Sequence, residues 1–125
     1  MRTNTLLTLI VVTLLQHGCG ACGEDKLTEA SSSDNKYVAT AFRRGCGATS
    51  GFVYHVNIRS STASFSSDSR GIIEEGQVFL TREGKISIRW KDERTLQINC
   101  DGCPKDRKPN METSWNGISI SYDLH

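Results

Sequence analysis

Two cysteine arrangements and one histidine are the residues with the chemistry to act in this sequence. Cys46 lies in the run RRGCGATSGFVYH, residues 43–55, with Arg43 and Arg44 before it and His55 nine residues after it. A thiol beside cations, with an imidazole in reach, can serve as a thiolate nucleophile because nearby positive charge lowers its pKa. Cys100-Asp101-Gly102-Cys103 and Cys19-Gly20-Ala21-Cys22 are both Cys-x-x-Cys runs. Such pairs work as redox dithiols, as half of a four-thiolate zinc site, or as disulfides.

Each chemistry demands a setting. A phosphate-binding glycine loop must open a helix and carry a lysine, whereas Gly45, Gly47 and Gly51 lead into an alternating strand pattern. Ser50 stands one position late for the G-x-S-x-G turn of a serine nucleophile. The two Cys-x-x-Cys pairs are separated by 77 residues, against the roughly 15 to 20 of a zinc ribbon. A thioredoxin-type dithiol sits at a helix N-terminus, and no 3.6-residue periodicity follows Cys22. His55 alternates with Val53, Asn57 and Arg59, so it is expected on a strand face as a surface or hydrogen-bonded residue. Cys46 is accordingly expected to anchor a loop. No catalytic residue, metal or cofactor is indicated.

The first residues resemble an export signal. Arg2 is followed by a ten-residue run of apolar residues and threonines, 6–15, and then by small residues. Ten residues are too few for a helix to cross a bilayer, which takes roughly 20. Leu14, Leu15 and Gly18 precede Cys19 as in bacterial lipoprotein signals, so Cys19 is the expected lipidated first residue of the mature chain, although Gln16 departs from that pattern. Lipidation at Cys22, and plain cleavage after residues 21–23 to give a secreted protein, are the alternatives. Lipid on Cys19 leaves an even set, Cys22, Cys46, Cys100 and Cys103, suited to two disulfides in an oxidising compartment. Of three pairings, Cys22–Cys46 with Cys100–Cys103 is expected. Asp-Gly is a two-residue turn signal, and residues flanking such a turn approach the spacing a disulfide prefers.

Losing residues 1–18 takes Arg2 away and leaves 14 basic against 14 acidic side chains. This balance gives no long-range attraction to nucleic acid. Residues 105–108, KDRK, lie between Pro104 and Pro109 and read as a solvated loop.

Strands must position all of these groups. Residues 24–36 are polar and serine-rich, fitting a tether or an edge strand that ends in a turn at Ser33-Asp34-Asn35. Alternation then marks strands over 37–42, 52–59 and 77–81, a hairpin of 85–91 with 95–100, and a second hairpin of 111–115 with 118–122 around Asn116-Gly117. Residues 60–76 read as a serine-rich loop. The division is a lipoprotein-type signal peptide over 1–18, a lipidated start and tether or edge strand over 19–36, and an all-β domain over 37–125. That domain is expected to hold about seven short, mainly antiparallel strands in a small sandwich or rolled sheet. Its expected core is Phe42, Tyr54, Val56, Ile58, Phe79, Ile86, Ile88, Trp90, Leu96, Ile98, Ile118 and Ile120.

Several runs together, CGACGE at 19–24, DNKYVA at 34–39, CGAT at 46–49, Arg89-Trp90 and TLQI at 95–98, resemble a family of small uncharacterised bacterial lipoproteins. Its members share a Cys-x-x-Cys-Gly mature start and a Cys-Gly-Ala-Thr loop. The resemblance implies a bacterial cell-envelope location with a membrane anchor of lipid on Cys19, in the outer membrane where the organism has one. It implies no activity, and no catalytic residue is carried over. The expectation is a lipid-anchored envelope module that binds or supports; the alternative is a secreted thiol enzyme or redox protein using Cys46 or the Cys100/Cys103 pair. Neither a ligand nor a partner protein is indicated.

Overall fold

Alternating side chains and turn residues divide the chain into strands, most of which pair with a neighbour in sequence. The computed structural model describes residues 23–46, 51–65, 76–104 and 110–125. Among them run β1 (Gly23–Ser31), β2 (Tyr37–Gly45), β3 (Phe52–Ser60), β4 (Gln77–Thr81), β5 (Lys85–Asp92), β6 (Thr95–Asp101), β7 (Asn110–Met111), β8 (Ser114–Trp115) and β9 (Ile118–Leu124). One sheet has the order β1-β2-β3-β4-β7 and the other β5-β6-β9-β8, so that β4 with β7 and β6 with β9 pair across crossovers. The fold is all-β, as the alternation predicts, and of the two expected forms it is the sandwich, with nine strands among the described residues where about seven are expected.

Local chemistry sets the reversals. Between β1 and β2 the Ser32 hydroxyl donates to Asp34 Oδ1 at 2.7 Å and accepts from the Tyr37 amide at 3.1 Å, while Asn35 takes φ 57°. Asn tolerates that left-handed backbone better than most residues. The polar run before it is thus an edge strand and not a tether: β1 pairs with β2 from Gly23↔Gly45 to Ser31↔Val38, with a bulge between Lys26 and Thr28. The β5–β6 hairpin pairs as expected, with the Asp92 carboxylate accepting from the Arg94 amide at 2.8 Å in the turn. Asn116 (φ 46°) and Gly117 (φ 81°) form the positive-φ turn joining β8 to β9.

The second hairpin is shorter than the alternation predicts. Met111 pairs with Phe79 in the first sheet, and only β8 pairs with the start of β9. The chain changes sheets between them: the Glu112 amide donates to the Val78 carbonyl and the Ile120 amide to the Thr113 carbonyl. This excursion supplies the crossover that a parallel pair requires, and β9 runs parallel to β6 from Thr95↔Ser119 to Cys100↔Leu124.

The core lies between the sheets. Ala39, Ala41, Val56, Ile58, Val78 and Phe79 meet Ile86, Leu96, Ile98, Cys100, Ile118 and Ile120, with Tyr54, Ile88 and Trp90 partly buried against them. Phe42 departs from expectation. It is buried, but on the opposite face of β2 from Ala39 and Ala41, paired with His55. Side-chain hydrogen bonds link the sheets at their margins: Trp90 Nε1 donates to the Ala30 carbonyl at 2.9 Å, Arg94 donates to the Tyr37 hydroxyl at 3.2 Å, and the Tyr122 hydroxyl lies within hydrogen-bond reach of the Val78 and Glu112 carbonyls, to one of which it donates at a time.

Candidate functional site

The Cys-Asp-Gly-Cys run ends β6 and turns back at Gly102, whose φ is 78°. This turn sets the Cα atoms of Cys100 and Cys103 5.7 Å apart, and the two are joined by a disulfide. The bridge closes the end of the second sheet. The Gly102 amide donates to the His125 carbonyl, and the His125 amide donates to the Cys100 carbonyl. Both cysteines are buried, at 0% and 4% exposure. Gly84 packs directly on them: with φ 111°, a side chain there would bring its Cβ to 2.5 Å from Cys100 Sγ. A thiolate or small reductant therefore has no direct approach to either sulfur in the folded state.

Cys46, just past the end of β2, is exposed and disulfide-bonded. Its sulfur is thus no thiolate. The register also keeps His55 away from it. His55 faces Phe42 across the β2–β3 ladder, four residues before Cys46, which at about 3.3 Å per residue is roughly 13 Å. Cys19 and Cys22 lie outside the described residues, as do the loop at 47–50 and the KDRK run at 105–108.

The register assembles a different group of side chains, on the outer face of the first sheet. There the Phe42 and His55 rings stack with centroids 4.9 Å apart and planes 6° from parallel. Phe65 meets Phe42 edge-on at 5.1 Å, and Lys26 Nζ and the Arg59 guanidinium lie 5.2 and 5.3 Å from the Phe65 ring. Beside them Thr40 donates to Glu29 Oε2 at 2.9 Å, and Arg59 donates to Thr40 Oγ1 at 2.6 Å and to Glu29 Oε2 at 3.1 Å. Thr40, His55 and Asn57 are at most 5% exposed, an unusual depth for polar residues on the outside of a sandwich.

Electrostatics follow from that depth. Burial pushes the His55 imidazole down to about 4. The nearby Arg44 charge acts in the same direction, and a hydrogen bond with the Gln77 side chain opposes them only in part. His55 is neutral near pH 7, and its Nδ1 is buried with no hydrogen-bond partner among the described residues. Burial works to raise the Glu29 carboxyl, yet the hydrogen bonds from Thr40 and Arg59 and the charges of Arg59 and Lys26 outweigh it and hold it below its ordinary value. The group is a charge cluster covered by an aromatic ring, in which Arg59 Nη1 and Nη2 have partners while its buried Nε has none among the described residues. Its alternation was visible in sequence, but the partnership of Glu29, Thr40 and Arg59 depends on a three-strand register that no single strand reveals.

No group of three or more His, Cys, Asp and Glu side chains among the described residues is arranged to hold a metal. An open groove lies at the β4–β7 margin, lined by Gln77, Phe79, Leu80, Asn110, Met111 and Glu112. No protein-family model, curated protein or solved structure matches the chain.

Proposed function

We propose that this protein is a lipid-anchored module of the bacterial cell envelope that works by binding or as a structural accessory, with Cys19 carrying the lipid. The observation that carries the reading is the oxidised pairing of its described cysteines. Cys100 is bonded to Cys103, and Cys46 is disulfide-bonded as well, chemistry that belongs to an exported protein. The β1–β2 register supports the assignment of the remaining two. Gly23 pairs with Gly45, and in the sequence Cys22 comes directly before Gly23 as Cys46 comes directly after Gly45. Cys22 is then the partner of Cys46, and Cys19 is the cysteine left for lipid at the end of the apolar signal run.

The alternative, thiol catalysis at Cys46 or at the Cys100/Cys103 pair, requires one of these bridges to open. Non-reducing mass spectrometry of the protein extracted from bacterial membranes tests both. The expected species starts at Cys19, carries diacylglyceryl and acyl mass on that residue, and lacks the four thiol hydrogens of two disulfides. Full-length protein in the cytosol with alkylatable thiols would sink the proposal, and a rapidly alkylated Cys46 in a mature secreted form would favour the thiol reading.

A further inference from the structure

The inner face of the first sheet does not end where the second sheet stops covering it. Along β3, Ile58, Val56, Tyr54 and Phe52 all point to that face, opposite Ala39, Ala41, Arg43 and Gly45 of β2. Val56 and Ile58 are fully buried, but Phe52, on the last rung, is 47% exposed. Its ring lies over Gly45, where an added Cβ would come within 3.0 Å of Phe52 Cε1. The Arg43 guanidinium stands 4.4 Å from the ring centroid and is itself held by Asp25 at 3.1 Å. The result is an aromatic ring fixed at the tip of the sheet, with one surface bare and charged groups beside it.

The same tip receives the N-terminal chain. Gly45, the partner of Phe52, also pairs with Gly23 on its other side. Gly23 is four residues after Cys19, so even a fully extended chain allows roughly 14 Å between their Cα atoms. With lipid on Cys19 no standoff is possible, and the rung Gly23-Gly45-Phe52 is brought to the membrane surface. Phe, like Trp and Leu, is among the apolar side chains that bury at the headgroup and acyl-chain boundary when charged groups stand beside them at a membrane surface.

From this juxtaposition we infer that the end of the first sheet at the rung Gly23-Gly45-Phe52 is a membrane-contact surface, with Phe52 seated at the headgroup and acyl-chain boundary of the phospholipid bilayer that holds the anchor. The inference rests on the lipid-anchor reading. Phe52 adds a second attachment to the acyl chains and fixes the sandwich end-on, so that the turn at residues 32–36 points away from the bilayer. The outward end is then the one free to meet other envelope components.

Full-length Phe52→Trp protein, produced with its own signal and reconstituted into phosphatidylethanolamine and phosphatidylglycerol vesicles, tests this. Some of the phospholipid carries bromine on acyl carbons close to the carbonyl. The parent protein, with Trp90 and Trp115, should be quenched little, and the added indole should lose most of its emission. As a second measurement, amide hydrogen exchange on the unsubstituted lipidated protein should slow on vesicles relative to detergent at residues 43–46 and 51–54, with no change at 32–36. Vesicle flotation and the acyl mass are read on the same samples. An acylated, floating protein with an unquenched indole, or with slowing at 32–36 in place of the tip, overturns this inference alone. An unacylated protein that does not float removes the anchor reading, and this inference with it.

Discussion

His55 shows how burial decides what a titratable residue can do. Stacked on Phe42 and 5% exposed, it is held neutral by the cost of placing a charge there, with a pKa near 4 against an ordinary 6.5. A neutral imidazole whose Nδ1 lacks a partner among the described residues is a packing element with a built-in acid liability. The unfolded chain takes up the proton first as pH falls, so this residue costs no stability above about pH 6.5. Between there and pH 4 the loss grows, and below pH 4 both states are protonated and it grows no further. A shift of about 2.5 units corresponds to about 3 kcal/mol at full development. His55→Phe should therefore be much less acid-sensitive than the parent between about pH 7 and about pH 4.5. Urea unfolding midpoints at the two pH values measure it, and parallel losses in both proteins would show that the acid sensitivity lies elsewhere.

At the scale of elements, strand pairing depends on a few backbone positions more than on the alternating side chains. Gly76 enters β4 with φ 77°, and its carbonyl accepts from the Ile58 amide at 2.8 Å. A Cβ there would fall 1.9 Å from the Ile58 carbonyl oxygen. Gly76→Ala should thus break the β3–β4 junction and cost about 3 kcal/mol or more. Gly117, with φ 81° but open space around it, should lose only about 1 kcal/mol as Gly117→Ala, from backbone strain alone. Thermal unfolding of both variants checks the contrast, and equal losses would contradict it. The β5–β6 hairpin and the Asn-Gly turn were legible because alternation and turn chemistry are local. The split of residues 110–115 between two sheets was not, because Met111 answers to Phe79 and Trp115 to Ile118, partners chosen by tertiary packing. Phe42 was misplaced for a related reason: both faces of β2 are buried, and alternation does not say which face meets the second sheet. For the candidate site, the Cys100–Cys103 bridge was legible from its Asp-Gly turn, whereas the Glu29–Thr40–Arg59 cluster needed the register of β1, β2 and β3.

At the scale of the whole molecule, the two bridged ends differ in their access to solvent, and this governs how the protein meets a reducing environment. Thiol–disulfide exchange needs a thiolate to reach a sulfur in line with the bond, so an exposed bridge opens in the folded state and a buried one waits for unfolding. Cys46 is exposed at the tip of the first sheet. Cys100 and Cys103 are buried beneath Gly84 and the returning C-terminal strand. Mild reductant followed by alkylation should therefore label Cys46 and its partner while Cys100 and Cys103 remain unlabelled, and β-sheet circular dichroism should persist. The loop-entropy relation gives about 2 kcal/mol for the four-residue ring and about 3.5 kcal/mol for the ring of about 25 residues that the proposed Cys22 partner would close. Opening the exposed bridge alone should thus lower the unfolding midpoint without abolishing the transition. Labelling of Cys100 and Cys103 should appear only at denaturant concentrations that unfold the domain, with a rate that follows global opening. Peptide mapping of the alkylated cysteines across a urea series reads both steps. Early labelling at Cys100 would mean that the β6 end opens locally, and would return that pair to consideration as a redox centre.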